Sequence, residues 1–356
     1  MVFFFHYSST QPSSKLMVFM GHWDTGVAIF FVLSGFLITI RYQHSVEPSW
    51  AWAKRYLQNR VARIYPVYFL LTALSFGLFH LVGSPWGEPW ALREWSSFTS
   101  LDKLFTVGTN LTLTRAYFDR LTFQGLITAW SLTVEETFYL LAPIILLTTT
   151  KSPWRLLAWV ALLLAVGMLL VSLLPPLYMG LMANTPHMLK FTFFGRAAEF
   201  GVGMSLAFWL QRQQVLRQGF AWTFTAVSLL LGFQILYCLS FVGALPVMVH
   251  YLLSVTYAGA VALLFAGLIL EHTWLRQALE TKAFDLLGKC SYVFYLIHIG
   301  ILDEGFRTYV SPSVWVRLPG HVLISILLYK FVEHPIHAML TKRRVTKPHP
   351  MVMVPA

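Results

Sequence analysis

A few titratable side chains lie in stretches that are otherwise apolar, and they are the candidates for chemistry. These residues are His6, Asp24, Glu135, Glu136, Arg196, Glu199 and His298. A charge in apolar surroundings is costly, so each of them needs a partner or a function. His6 also adjoins a polar stretch that a hydroxyl compound could reach. Because imidazole titrates near neutral pH, His6 could take a proton from an alcohol, although a packing role is the simpler alternative.

Two arginines, Arg60 and Arg63, are three residues apart and would be neighbours on one face of a helix. Two guanidinium groups at this spacing can bind a polyanion such as a phosphate bidentately. The alternative is that their charge only sets the orientation of the chain in a membrane. The sequence does not choose between these interpretations.

The other candidates have structural alternatives as well. Arg196 and Glu199 are three residues apart, and this spacing favours an ion pair within one helix. Glu135 lies in the ring-rich segment 130–139, where it could anchor helices or contact a substrate. We interpret His298 as a hydrogen-bonded packing histidine, with catalysis as the alternative.

The composition shows what kind of chain must position these groups. Of the 356 residues, 57% are hydrophobic and 12% are charged, and the mean hydropathy is +0.63. Soluble domains carry about 25% charged residues, so a water-soluble fold and a disordered chain are both excluded. We therefore predict an all-α polytopic membrane protein. The two cysteines, Cys238 and Cys290, have no metal-ligand spacing, so no metal site is predicted.

Nine apolar stretches approach the length of about 20 residues that a membrane-spanning helix needs. They cover roughly residues 23–40, 64–82, 126–148, 154–174, 191–210, 220–240, 250–270, 288–302 and 314–332. Residues 1–7 are interpreted as the end of a tenth helix whose beginning is missing before Met1. We thus predict a bundle of about ten transmembrane helices over residues 1–340.

The net charge of +11 falls mainly in alternate connections between these stretches. The positive-inside rule places those connections, and with them both chain ends, in the cytoplasm. Residues 341–356 then form a basic cytoplasmic tail that we expect to be disordered. The charges of residues 83–125 are balanced, and we expect this segment to be an external lid or a re-entrant region. Anionic lipid explains the positive charge, and nucleic acid is not implied.

Six short strings contain most of the candidate residues. They are FFVLSGFLI at 30–38, RVARIYP at 60–66, WSLTVEETFY at 130–139, FGRAAEF at 194–200, GKCSYVFYLIH at 288–298 and FVEHP at 331–335. In this order they resemble the motifs of the acyltransferase-3 family of bacterial membrane O-acyltransferases. The residues that we interpret as structural or substrate-lining are Asp24, Ser34, Trp130, Tyr139, Arg196, Glu199, His298 and Glu333.

The resemblance implies ten helices in the bacterial inner membrane and an enzyme that transfers acyl groups. The donor would be acyl-coenzyme A, with acetyl the default, and the chain would bind no tight cofactor. The acceptor would be a hydroxyl of a glycan, a glycolipid or a glycosylated small molecule. The family pattern makes His6 the general base and Glu135 a second catalytic residue. It makes Arg60 and Arg63 the residues that bind the coenzyme A phosphates.

Two positions depart from the family pattern. Family members usually carry an arginine eleven residues before the histidine, a position that would precede Met1 here, so the chain either starts late or lacks this contact to the acyl donor. They often carry Asp where Ala28 stands, and Asp24, one turn earlier, is the candidate to replace it. The alternative function is a transporter or flippase for a lipid-linked sugar, in which the basic residues would serve orientation only. Binding of acyl-coenzyme A would distinguish the two.

Overall fold

The structure is a computed structural model, and it describes residues 1–8, 23–82, 95–150, 152–174, 177–212, 221–238 and 246–341. The described residues are mostly helical and form no β-sheet. Their fifteen α-helices are α1 Val2–Ser8, α2 Gly26–Tyr42, α3 Trp50–Val82, α4 Ser100–Leu111, α5 Trp130–Thr149, α6 Arg155–Leu173, α7 Thr185–Phe191, α8 Phe193–Arg212, α9 Trp222–Cys238, α10 Val247–Leu270, α11 Trp274–Leu279, α12 Lys282–Ile297, α13 Ile301–Tyr309, α14 Val314–Leu328 and α15 His334–Thr341. A π-helical turn, Tyr329–Glu333, joins α14 to α15.

Several of these helices are long and apolar enough to cross a membrane. By length and composition, five helical segments in the described part qualify, namely Trp50–Leu78, Ile127–Thr149, Arg155–Leu173, Val247–Leu270 and Val314–Thr341. A sixth is possible if α12 and α13, which are bent by 88°, make one span together. The predicted class, an all-α membrane protein, is confirmed. The count of ten crossings stays a prediction, although each of the nine apolar stretches overlaps a helix.

Two boundaries differ from the sequence-based expectation. The third helix begins at Trp50 rather than near residue 64, because Trp52, Tyr56 and Arg60 recur every four residues and all lie on its buried face. The connection between the predicted stretches 288–302 and 314–332 is largely helical, because α13 continues to Tyr309 beyond the bend.

The most extensive helix–helix contact joins α2 to α8, and glycines make it possible. A methyl group on Gly35 would collide with the main-chain carbonyl of Phe200, and one on Gly203 would collide with that of Val32. In lipid, where water does not drive helices together, such close backbone packing is a main source of association. The contact fixes the height and rotation of α2, and therefore of Ser34 next to Gly35.

A buried arginine organises the connection between α4 and α5. The side chain of Arg115 is 0% exposed and donates hydrogen bonds to Asn110 Oδ1 at 3.0 Å and to the main-chain oxygens of Gln124 and Leu126. These acceptors are neutral, so their dipoles balance the buried charge. Around Arg115, the part of the expected lid that the structure describes is therefore closely packed. Residues 83–94 and the tail from residue 342 lie outside the described residues.

Candidate active site

Polar side chains from α2, α3 and α5 gather in a first site, here called the arginine cluster. Its members are Tyr42 and Gln43, the residue that follows it in the chain, together with Tyr56, Arg60, Glu135 and Tyr139. The guanidinium of Arg60 lies over the rings of Tyr42, at 6.0 Å, and Tyr139, at 5.6 Å. Cation–π contacts of this kind stabilise a buried guanidinium and leave its N–H groups available as donors.

The two arginines of the RVARIYP string have different surroundings. Arg60 is 7% exposed and lies among aromatic rings, whereas Arg63 is exposed and interacts electrostatically with Glu333. Positions three apart on a helix differ by about 60° in direction. This difference is enough to separate a buried side chain from an exposed one. Arg60 therefore belongs to the arginine cluster, whereas Arg63 lies on an exposed face of the same helix. That both residues bind the coenzyme A phosphates stays a prediction.

Several buried donors of the arginine cluster have no hydrogen-bond partner within the described protein. They are Arg60 Nε, Gln43 Nε2 and the hydroxyl groups of Tyr42 and Tyr56. An unpaired buried donor costs about 1–3 kcal/mol, so proteins seldom concentrate several in one place without a use for them. This set suits a ligand rich in acceptor oxygens, such as a phosphate. The sequence analysis missed the two tyrosines and Gln43.

Glu135 ties two helices together within this cluster. Its Oε1 atom accepts a hydrogen bond from Ser34 Oγ on α2 at 2.7 Å and another from the Tyr139 hydroxyl on its own helix. Because Tyr139 supports Arg60, Glu135 positions the guanidinium indirectly. These contacts favour the anchoring interpretation of Glu135. The neighbouring carboxylate, Glu136, has one buried oxygen without a partner in the described protein.

The ion pair expected on α8 is present. Arg196 Nη1 lies 2.5 Å from Glu199 Oε1, and Arg196 Nε donates to the main-chain oxygen of Lys190 at 2.8 Å. The guanidinium also lies over the ring of Trp130 at 5.9 Å. The pair therefore connects α8 to the start of α5, and its contacts are structural.

A second site, here called the histidine cluster, consists of His6, His298, Asp303, Arg317 and His321. His6 on α1 and His298 at the end of α12 have ring centroids 5.4 Å apart. Phe3, also on α1, packs against the rings of His298 at 6.4 Å and His321 at 6.1 Å. Residues from the two ends of the chain thus meet around one pair of imidazoles.

A buried ion pair supports the histidine cluster from behind. Arg317 donates hydrogen bonds to both carboxylate oxygens of Asp303, with Nη2 at 2.7 and 2.6 Å, and its guanidinium lies over the Tyr7 ring at 5.4 Å. His321 Nε2 is 3.3 Å from Asp303 Oδ1. The sequence analysis missed all three residues. The signal was present, because Arg317 and His321 fall inside the predicted span 314–332.

Helix α12 connects the two clusters. Its Tyr292 hydroxyl donates to the main-chain oxygen of Ile64, one turn beyond Arg60 on α3, at 2.8 Å. One turn later, the Tyr295 hydroxyl hydrogen-bonds Ser131 Oγ on α5 at 2.8 Å. From Tyr292 to His298 the helix rises by about 9 Å. The clusters therefore lie at different depths of one helical framework.

Two further residues from the sequence analysis, Glu333 and Asp24, belong to neither cluster. Glu333 lies in the π-helical turn, a form that often marks functional positions, and one of its carboxylate oxygens is buried without a described partner. The side chain of Asp24 lies outside the described residues. The described residues line an open apolar groove along α4 and a small cavity between α5, α6 and α8. Neither is lined by His6 or Arg60.

The described helices thus bring together one cluster rich in buried hydrogen-bond donors and a separate pair of imidazoles. The model of the family described as "Acyltransferase domain" matches residues 1–329, so the chain belongs to this acyltransferase family. The resemblance to the acyltransferase-3 family is thereby confirmed. The chain is thus a membrane protein of an acyltransferase family.

Curated relatives agree with the family assignment. The chain is 24% identical to the peptidoglycan O-acetyltransferase OatA of Listeria monocytogenes over 87% of its own length and 51% of OatA, so it spans about half of that relative. It is 27% identical to the acyltransferase MdmB of Streptomyces mycarofaciens over 97% of its length and 89% of MdmB. No solved structure matches the chain.

Proposed function

We propose that this enzyme transfers an acyl group, with acetyl the default, from cytoplasmic acyl-coenzyme A to a hydroxyl of a sugar-containing acceptor at the opposite face of the bacterial inner membrane. The observation that carries the proposal is the placement of two polar clusters along α12. One offers buried donors for an anion, and the other offers an imidazole for proton transfer.

The arginine cluster is the proposed binding site for the phosphates of the donor. Arg60, Tyr42, Tyr56 and Gln43 contribute the buried donors described above. The last turn of α2 and the first turns of α3, on either side of their connection, carry further exposed basic residues, which are Arg41, Lys54 and Arg55. The positive-inside rule puts this connection in the cytoplasm, where acyl-coenzyme A is found. Ten crossings would then place both chain ends on that side.

The histidine cluster is the proposed place of acyl transfer. His6 removes the proton from the acceptor hydroxyl, and the oxygen attacks the thioester carbonyl. The carbon–sulfur bond then breaks, and the coenzyme A thiolate recovers the proton from His6. Rings of Phe3 and Phe294, whose centroids are 6.0 Å apart, shield the imidazoles and limit hydrolysis of the donor. This chemistry requires no tightly bound cofactor.

The proposed acceptor is a glycan, a glycolipid or a glycosylated small molecule. The name of OatA, a peptidoglycan O-acetyltransferase, supports a sugar-containing acceptor and an acetyl group. The alternative of a lipid-linked sugar transporter has no such support. Membership of an acyltransferase family favours the enzyme.

Titration of the purified protein with acetyl-coenzyme A tests the donor site. Because charge-assisted hydrogen bonds contribute about 1.5–3 kcal/mol, Arg60→Ala should weaken affinity about 10- to 100-fold. Arg63→Ala should weaken it less than about fivefold, since exposed charges contribute at most about 1 kcal/mol. Arg155→Ala, which removes an exposed arginine from the start of α6, is the matched control and should bind normally. Unchanged binding by the Arg60 variant would exclude this donor site.

A further inference from the structure

The histidine cluster contains a polar atom to which the proposed mechanism gives no role, Nε2 of His298. The His298 side chain is 2% exposed, and its Nδ1 lies 2.8 Å from the main-chain oxygen of Tyr295. A carbonyl oxygen can only accept, so Nδ1 must carry the hydrogen. Nε2 is then an acceptor, and it is buried without a partner in the described protein.

The ring of His298 is held in place, so the direction of this acceptor is fixed. The imidazole is stacked on Phe294, with centroids 5.8 Å apart and an interplanar angle of 5°. Phe3 packs against the ring at 6.4 Å. A fixed acceptor with its lone pair inside the cluster is suited to orient a neighbouring donor.

His6 is the neighbour that such an acceptor can orient. The two imidazole rings are 5.4 Å apart between centroids and tilted by 49°. Two imidazoles joined by an N–H···N hydrogen bond have centroids about 5 Å apart, from an N···N distance of about 2.9 Å and about 1.1 Å on each side. A small rotation of the His6 side chain would therefore complete the bond.

We propose that His298 is the positioning residue for His6, and this rests on the proposed function. His298 Nε2 accepts a hydrogen bond from one ring nitrogen of His6, which leaves the other nitrogen unprotonated and facing the acceptor hydroxyl. When His6 takes the proton of that hydroxyl, the same hydrogen bond stabilises the imidazolium. A third group that orients the base in this way is the general arrangement behind activated hydroxyl chemistry.

Apart from His6, the other polar groups of the histidine cluster already have hydrogen-bond partners. Arg317 and Asp303 hydrogen-bond each other, and His321 Nδ1 is 2.7 Å from the main-chain oxygen of Arg317. The Tyr295 hydroxyl hydrogen-bonds Ser131. Among the described members of the cluster, the buried acceptor without a partner is therefore Nε2 of His298.

The test compares His298→Phe with His298→Gln in the full chain, in membranes or detergent. Phenylalanine keeps the stack on Phe294 and removes the acceptor, whereas the glutamine amide oxygen lies near the place of Nε2. We expect the phenylalanine variant to lose kcat about 10²-fold, because a misplacement of about 1 Å can cost that much. The KM for acetyl-coenzyme A should be unchanged, and glutamine should restore about tenfold. His250→Phe, a half-buried histidine on α10, is the control.

The outcomes separate this inference from the proposed function. Normal kcat in a folded His298→Phe protein would overturn the inference, and so would equal losses in the phenylalanine and glutamine variants. If the phenylalanine variant does not accumulate, His298→Met, which has the length of glutamine without its acceptor, replaces it in the comparison. Normal activity of His6→Ala would contradict the proposed base itself. An inactive His6→Ala together with a normal His298→Phe would reject only the positioning role.

Discussion

The arginine cluster and the histidine cluster differ in how the protein satisfies their polar groups. In the arginine cluster, Arg60 and its neighbours have buried hydrogen-bond donors for which the described residues provide no acceptor. In the histidine cluster, Arg317 donates three hydrogen bonds to Asp303. A site that recognises a ligand must leave donors available, whereas a site that positions a base must hold its neighbours still. This contrast fits the proposed roles, in which the arginine cluster binds acyl-coenzyme A and the histidine cluster transfers the acyl group.

The clusters also differ in how the chain builds them. The arginine cluster combines α2, α3 and α5, whose members lie between Tyr42 and Tyr139. The histidine cluster combines α1 with α12, α13 and α14, so His6 meets residues about 300 positions away in the sequence. Its geometry therefore depends on the packing of the whole bundle, and damage to its ion pair should affect stability more than donor binding.

The largest expected effect separates the clusters by function. His6→Ala should reduce acyl transfer about 10²- to 10⁴-fold, the usual contribution of a general base. Its affinity for acetyl-coenzyme A should stay normal, because the donors of the arginine cluster are intact. Transfer of labelled acetyl and equilibrium titration of the same preparation measure the two quantities. A combined loss of affinity and transfer would show that the clusters are not separate sites.

The next effect tests whether the ion pair behind the imidazoles is structural. Arg317→Met removes the guanidinium partner of the buried Asp303 carboxylate, which should cost about 3–5 kcal/mol of stability. Thermal unfolding in detergent should show a clear fall in Tm. The double variant, Arg317→Met with Asp303→Leu, contains neither charge and should recover most of the loss. A double variant as unstable as the single one would contradict this explanation.

The smallest effect concerns the support beneath Arg60. Ser34→Ala removes the hydrogen bond to Glu135 Oε1, which contributes about 0.5–1.5 kcal/mol. Because Glu135 holds Tyr139 under the guanidinium, affinity for acetyl-coenzyme A should fall about two- to tenfold. Ser172→Ala is the control, since Ser172 is exposed and hydrogen-bonds only within α6 among described residues. Equal effects of the two variants would remove Ser34 from the site.

The positions of most helices could be predicted, because the lipid environment constrains each stretch of the chain locally. Every span must satisfy its own backbone hydrogen bonds, so long apolar stretches become helices wherever they occur. The nine predicted stretches overlap helices for this reason. The spacing of Arg196 and Glu199 also predicted their pairing, since neighbours three residues apart meet on any helix.

Contacts between helices could not be predicted in the same way. The partner of Arg317 is Asp303, fourteen residues earlier and across a bend of 88° between α12 and α13. The difference between buried Arg60 and exposed Arg63 depends on how α3 is rotated against α2 and α5. The role of Tyr42 and Tyr56 could not be predicted either, because the sequence does not show whether the hydroxyl group of a tyrosine is buried.

By itself the sequence determined the class of the protein, the approximate positions of its helices, the candidate base His6 and the family motifs that contain Arg60 and Glu135, because hydropathy and helical spacing act over short distances. Only the tertiary structure decided which of these side chains meet. It joined Ser34 to Glu135 and brought His298 to His6, since such contacts depend on the rotation and depth of whole helices. Close packing at positions such as Gly35 determines that rotation and depth.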